Sequence, residues 1–350
     1  MMKTLFYKII LFLLKGYNLF YFKRIRVYGL ENIPKKGGLL FSPNHQNAFL
    51  DPILVGTSCG SEVTSLTRSD VFGGPFQWFL DALKMLPVYR IRNGFGNLKK
   101  NNPIFDHCKE LLGNGKKMMM FSEGKHHNEY FLQRLSKGSS RLALQAQEKF
   151  PESVIYIIPV GINYSHHQRP WQEVHVVYGT PILVSDFLKS YKKNNSVTTN
   201  LLRETLEREM QSCLWIPEND ASYFKKKKYI HLQNTKIGFS KLREQLNLNP
   251  EKLKTAKKGG PFLLFLVALL SIPNIIPLIA LRKVIGLFSD VVFHNSMKYL
   301  VGLFMFFFWW KILIFSGIYF YGIPAGIVLF MGSVVSLYLR QIIISRFFSD

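Results

Sequence analysis

The residues best equipped for chemistry lie in Phe41-Ser42-Pro43-Asn44-His45-Gln46-Asn47-Ala48-Phe49-Leu50-Asp51-Pro52. An imidazole titrates near neutrality, and a nearby carboxylate can fix its tautomer and raise its basicity. His45 and Asp51 therefore have the makings of a general base and its orienting partner. The apolar run Gly38 to Phe41 reads as a short buried strand that breaks off at Pro43. A helix opens near Asp51, with Pro52 at a tolerated first-turn position.

Three more blocks fall at the ends of expected strands, where α/β sheets collect their sites. Leu86-Pro87-Val88-Tyr89-Arg90 ends on an arginine, whose planar fork suits a phosphate. In Phe121-Ser122-Glu123-Gly124, Glu123 can accept from a substrate hydroxyl, and Gly124 lets backbone come close. Downstream, Arg134 and Lys137 add positive charge. Ile157-Ile158-Pro159-Val160-Gly161 is apolar and suits a pocket wall better than a reaction.

The elements that must position these residues are legible from periodicity. Strands and helices alternate over residues 25–215, which predicts an α/β domain with a mixed sheet flanked by helices. Residues 1–24 are apolar and aromatic with Lys3, Lys8 and Lys15 set among them, and no small-residue cleavage site follows. That pattern predicts a membrane-interfacial helix. Residues 216–260, with Lys225 to Lys228, read as a basic linker, suited to a solvated face or to anionic lipid. From 261 to 350 the chain becomes a C-terminal membrane region. Phe262–Leu281 is interrupted by Pro273 and Pro277, so it is kinked or re-entrant, and two spans of roughly 20 residues follow as a hairpin. Lys311 falls within the first of these and is expected to face protein or to snorkel.

Charge narrows the function classes. The formal net charge is +23, from 45 Lys and Arg against 22 Asp and Glu. The 261–350 region contributes only +4 of it, so a basic body is joined to an apolar tail. Both membrane phospholipid and nucleic acid attract such a body, and the tail favours membrane. Nucleic-acid binding also prefers exposed aromatics among its cations, whereas the aromatics here concentrate in apolar stretches. Cys59, Cys108 and Cys213 are far apart, which points to a reducing compartment and no disulfide framework. His126-His127 and His166-His167 lack a third ligand at useful spacing, so no metal site is expected.

Taken in order, the four blocks resemble the glycerolipid acyltransferase family, which includes the 1-acyl-glycerol-3-phosphate and glycerol-3-phosphate acyltransferases. Its pattern is N-H-x-x-x-x-D, a strand ending in arginine, F-P-E-G-T-R, and V-P-V. The corresponding residues are Asn44-His45 to Asp51, Pro87-Val88-Tyr89-Arg90, Phe121-Ser122-Glu123-Gly124 and Ile158-Pro159-Val160. Val177-Tyr178-Gly179-Thr180-Pro181-Ile182 is similar to the family's closing strand. The resemblance implies acyl transfer to a phosphorylated glycerolipid from acyl-CoA or acyl carrier protein, without metal or organic cofactor. It implies catalysis by His45 and Asp51, and substrate binding by Arg90, Glu123 and Gly124. The catalytic domain would lie on the cytoplasmic face of a membrane.

Two departures matter. Five residues, not four, separate His45 from Asp51, which rotates a helical aspartate by ~100°. Contact then requires a locally altered turn, with Asn44 and Gln46 as fallback orienters. Secondly, Ser122, Lys125 and His126 stand where the family has proline, threonine and arginine. Arg134, helped by Lys125 or Lys137, is the expected substitute for the missing phosphate-binding arginine.

Overall fold

The computed structural model describes residues 2–74, 77–89 and 99–348. Strands β1 (Arg24–Tyr28), β2 (Gly38–Pro43), β3 (Thr64–Arg68), β4 (Met85–Val88), β5 (Lys117–Met119), β6 (Ile155–Tyr164), β7 (Glu173–Tyr178) and β8 (Ile182–Leu183) form one sheet. Its order is β1-β7-β6-β2-β5-β3-β4, with β8 alongside β6. β6, β2, β5, β3 and β4 run parallel, whereas β7 is antiparallel to β6 and carries β1 parallel to itself. The sheet is mixed, as expected.

β2 is central, and every residue from Gly38 to Pro43 is buried. A parallel strand covered on both faces reads as an unbroken apolar run, which is why Leu39-Leu40-Phe41 carries no alternation. Phe41 pairs with both Ile158 and Met119, so the ends of β2 and β5 lie level with the middle of β6, which runs on to Tyr164.

Helices cover both faces. In chain order they are α1 (Met2–Tyr21), α2 (Leu50–Ser58), α3 (Gln77–Ala82), α4 (Asn101–Gly113), α5 (Gly138–Lys149), α6 (Leu188–Lys193), α7 (Asn195–Ser212), α8 (Tyr223–Lys227), α9 (Phe239–Leu248), α10 (Pro261–Ser271), α11 (Ile275–Gly286), α12 (Val292–Tyr321) and α13 (Ile323–Phe347). Leu40 points into a core shared with Leu112, Leu142, Leu202 and Leu206 of α4, α5 and α7. Leu39 and Phe41 point the other way, toward Tyr21, Leu54, Val55 and Tyr299 of α1, α2 and α12. Each fully buried side chain of this size contributes about 1.5–3 kcal/mol, so β2 is anchored from both sides.

The segment expected to be a linker is largely folded. Trp215, Tyr223, Ile230, Phe239, Leu242, Leu246 and Leu253 form a third apolar cluster against Tyr28 and Val177 at the β1–β7 end of the sheet. Within its lysine run, Lys226 binds Asp220 and Lys227 binds Glu129, each partly neutralised by an acid. The sequence pattern hid this because its apolar residues are scattered among lysines.

α1 presents Leu5, Phe12, Leu13, Leu19 and Phe20 outward. Its inner side makes polar contacts, with Asn18 bonded to Thr57 and Tyr21 to Asn295.

Three tail stretches, residues 261–286, Val292–Tyr321 and Ile323–Phe347, are long and apolar enough to cross a membrane. The last two form the expected hairpin, turning at Gly322. Near that turn a Cβ on Gly317 would lie 2.5 Å from Gly326 Cα, so the helices approach backbone to backbone. The first stretch bends at Ile272–Asn274 and comes back. At its start, Gly259 N donates to Phe347 O, at the end of α13. After its end, Asp290 accepts from Val292 N, at the start of α12. In an antiparallel hairpin those are the same end. The buried turn is satisfied by Asn274 and Ser333 bonding each other and by Trp309 donating to Pro273 O. Lys311 is exposed and lies along the outer face, with Nζ 4.3 Å from the Phe307 ring centroid.

Candidate active site

β2 ends at Pro43, and Asn44 holds its exit in place by exchanging hydrogen bonds with Ile162: Nδ2 donates to the carbonyl at 3.1 Å, and Oδ1 accepts from the N–H at 2.7 Å. Asn44 is thereby a clamp between strands. The next residue, His45, emerges with its ring stacked on Phe121 from the end of β5, 3.9 Å between centroids.

Asp51 reaches that ring. Its Oδ2 lies 2.9 Å from His45 Nδ1 and also accepts from the N–H groups of Gln46 and Asn47, both at 2.7 Å. The altered turn required by the additional residue is present: residues 46–49 are non-helical and α2 begins only at Leu50. Oδ1 of Asp51 accepts from Tyr164 Oη at 2.7 Å. Asp51 is fully buried, and four donors surround its carboxylate, which compensates for the burial of its charge. Burial, with Asp51 adjacent, pushes the Tyr164 phenol well above its ordinary range, so it stays a donor. Tyr164 was missed in the sequence because β6 continues past the apolar run to reach it.

With Nδ1 facing the carboxylate, Nε2 is the nitrogen free to accept a proton. The second fallback orienter, Gln46, is committed elsewhere: Nε2 donates to Glu129 O at 2.7 Å, and Oε1 lies 3.0 Å from His167 Nε2.

Glu123 departs from expectation. Its side chain is fully buried. Oε2 accepts from His45 N at 2.7 Å, while Oε1 meets Gln133 N at 2.8 Å and His127 Nε2 at 3.0 Å. Both oxygens are thus used within the protein, and the buried carboxylate is bonded to the backbone of His45. It ties the end of β2 to the 123–133 loop. His127 N also donates to His45 O at 3.0 Å. Gly124 closes the turn that turns Glu123 inward, with φ +71 and its N–H bonded to Phe121 O. That backbone conformation disfavours any side chain.

The cations fall differently. Leu132 N donates to Pro217 O and Ser136 N to Ser122 O, which turns the intervening Arg134 outward. Arg134 lines a polar cleft of about 470 Å³ with Arg203, Glu204, Glu207, Arg208 and Gln211 of α7, which His45 does not line. Lys137 is exposed at the head of α5. Arg90 lies outside the described residues. Ser122, in the family's proline position, is buried and bonded to Ser42 and Ser139.

His126, in the position of the family's arginine, stands edge-on to His45 with ring centroids 5.6 Å apart. Its Nε2 is 2.8 Å from Asp290 Oδ2, in the loop before α12, and its ring meets Phe293. Burial lowers the His126 pKa, although Asp290 pulls it upward. Burial raises the Asp290 carboxyl, but the Val292 N–H and His126 outweigh it, leaving it below the usual range. No sequence signal linked His126 to Asp290, since 164 residues separate them.

A family model, acyltransferase, matches residues 24–163. This segment belongs to the acyltransferase family. His45, Asp51, Glu123, Gly124 and Val160, which carry motifs that resemble the glycerolipid acyltransferases, all fall within the acyltransferase segment, whereas residues 177–182 lie beyond it. None of the curated proteins matches the chain. Among solved structures it is similar to the 1-acyl-sn-glycerophosphate (LPA) acyltransferase PlsC from Thermotoga maritima. That match has 19% identity and a TM-score of 0.40, over 58% of this chain and 80% of that one.

Proposed function

We propose that this membrane-attached acyltransferase transfers a fatty acyl group from a thioester donor to the hydroxyl of 1-acylglycerol 3-phosphate, giving phosphatidic acid. The observation that carries the proposal is the His45–Asp51 pair, with Nδ1 tied to a fully buried carboxylate. Its setting in an acyltransferase-family segment joined to apolar helices supports the lipid acceptor.

The reaction follows from the charges. His45 Nε2 takes the proton from the acceptor hydroxyl as its oxygen attacks the thioester carbonyl carbon. Asp51 stabilises the imidazolium that results. The tetrahedral oxyanion collapses, the carbon–sulfur bond breaks, and the imidazolium returns its proton to the departing thiolate. The hydroxyl is itself the nucleophile, so no acyl-enzyme forms. Backbone N–H groups of the exposed Gly124 turn are the proposed oxyanion donors. Arg90 is proposed to hold the acceptor's phosphate. The donor is acyl-CoA or acyl carrier protein, and the catalytic domain lies on the cytoplasmic face, where such donors are found. The exposed apolar side of α1 rests in the interface.

The His45–Asp51 spacing favours a second acceptor, glycerol 3-phosphate, because the family resemblance includes members with that spacing. The experiment is a panel: full-length protein in phospholipid nanodiscs with labelled oleoyl-CoA or oleoyl carrier protein, offered 1-acylglycerol 3-phosphate, glycerol 3-phosphate or lysophosphatidylcholine. Acylation of the first by the wild type and not by His45→Ala is the expected result. Equal turnover by the two proteins refutes the general-base assignment, and turnover of glycerol 3-phosphate alone selects the second acceptor.

A further inference from the structure

The helix that carries Asp51 is capped by a hydroxyl from the membrane tail. The first N–H groups of a helix lack intrahelical partners, and a serine, threonine, asparagine or aspartate at the N-cap ordinarily accepts from one. α2 has Phe49 in that place and no side-chain cap of its own. The acceptor comes from 247 residues away. Ser296 Oγ, in the second turn of α12, takes the N–H of Phe49 at 2.9 Å and of Leu50 at 3.3 Å. Asp51 follows directly, so its turn is held from inside by its own carboxylate and from outside by Ser296.

The surrounding contacts fix Ser296 itself. Tyr21 Oη donates to Asn295 Oδ1 at 2.6 Å, Tyr299 Oη to Asn18 Oδ1 at 2.8 Å, and Tyr17 Oη to Tyr299 O at 3.0 Å. Phe293 packs on Phe49 and on His126, which flanks the His45 ring. Asn295, Ser296 and Tyr299 are all buried, forming a polar stripe at one end of an otherwise apolar helix. Anchoring alone needs no such stripe, and polar groups within apolar spans are costly and mark function.

The geometry points to a working role for this end of α12: Ser296 positions the 46–50 turn so that Asp51 meets His45, making the membrane tail part of the catalytic apparatus and not only its anchor. Ser296 is a positioning residue, since it touches backbone and not the reacting groups. This role deepens the acyl-transfer reading above and rests on it for its kinetic consequence, while its effect on the imidazole can be read without turnover.

Wild type, Ser296→Ala and Ser296→Thr are compared as full-length proteins in nanodiscs, with the donor–acceptor pair turned over fastest in the panel. Displacing a catalytic group by about an ångström slows a reaction on the order of 100-fold. Ser296→Ala should therefore lose roughly 10- to 100-fold in kcat with both KM values unchanged, and Ser296→Thr, which keeps the hydroxyl, should recover most of it. In ¹⁵N-histidine-labelled protein, the downfield Nδ1–H resonance missing from His45→Ala should persist in wild type and Ser296→Thr. It should broaden or vanish in Ser296→Ala while the other histidine signals remain. A Ser296→Ala protein with wild-type kcat, or with that resonance intact, overturns the role. A wild type inactive on the whole panel removes the acyl-transfer reading and leaves the resonance to decide. Should alanine unfold the chain, every histidine signal collapses together. Ser296→Cys, a weaker acceptor in the same place, is then measured: an intermediate resonance width supports the role and an unchanged one refutes it.

Discussion

Tyr164 donates to Oδ1 of Asp51 at 2.7 Å, the oxygen that His45 does not use. A strand end on β6 thus fixes the carboxylate that orients an imidazole at the end of β2. Tyr164→Phe removes one charge-assisted hydrogen bond, worth about 1.5–3 kcal/mol, and leaves a buried carboxylate oxygen without its donor. The expected outcome is a roughly tenfold or larger fall in kcat with the fold retained. Steady-state kinetics beside circular dichroism checks it, and an unchanged kcat would show that the other three donors suffice.

Asp51→Asn should be more damaging than the loss of the Tyr164 hydroxyl. An amide cannot stabilise an imidazolium, and general acid–base catalysis by a positioned group contributes roughly 10²–10⁴-fold. Its N–H₂ group would also oppose the Gln46 and Asn47 N–H donors. We expect kcat to fall by about that range while the variant stays membrane-bound in a flotation assay. Near-normal turnover would mean that His45 works without its carboxylate.

Gly124→Ala meets open space among the described residues, with Ser136 Oγ 3.9 Å from the added Cβ, but it imposes a side chain at φ +71. A left-handed conformation costs an L-residue roughly 1–2 kcal/mol. Denaturant unfolding should show a loss of about that size, and Gly124→Asn, which tolerates this region better, should lose less. Equal losses would point to a cause other than backbone strain.

His167 should make the fold sensitive to acid. Burial, with His166, His127 and Lys227 adding like charge, holds its pKa well below the ordinary value. It is buried neutral, bonded to Gln46 and stacked on Tyr130. Below about pH 6.5 the unfolded chain binds this proton and the folded chain does not. Stability therefore falls with decreasing pH by up to ~1.4 kcal/mol per unit from this site, until the depressed folded value is reached. Denaturant midpoints at pH 7.5, 6.5 and 5.5 should decline, and His167→Gln should flatten that decline. An equally steep decline in the variant would assign the sensitivity to His126, His175 or His231, whose values burial also lowers.

How legible the site was depended on how local each cause is. His45 with Asp51 could be read, and even the demand for an altered turn between them followed from helical geometry. The central strand was readable because both its faces are buried, as were an interruption of the first tail stretch at its prolines and a hairpin of two spans, but the position of the hairpin turn at Gly322 was not. Glu123 was read as facing the substrate; its actual partners, His45 N and Gln133 N, are backbone groups that carry no sequence signature. Arg134 was assigned to the phosphate, but buried Leu132 and Leu135 on either side turn it outward over α7.

The sequence by itself determined the chemistry on offer, an imidazole at a strand's end with a carboxylate near it, and the apolar tail that keeps this chemistry at a membrane. Periodicity, prolines and glycines act over about ten residues, and that is the range over which such patterns can be read. Only the tertiary structure decided what stands around the imidazole: Tyr164 beneath Asp51, Asp290 against His126, and Ser296 capping the helix that carries Asp51. These contacts join residues more than 100 positions apart, and their partners are set by which faces the sheet and the tail bury together.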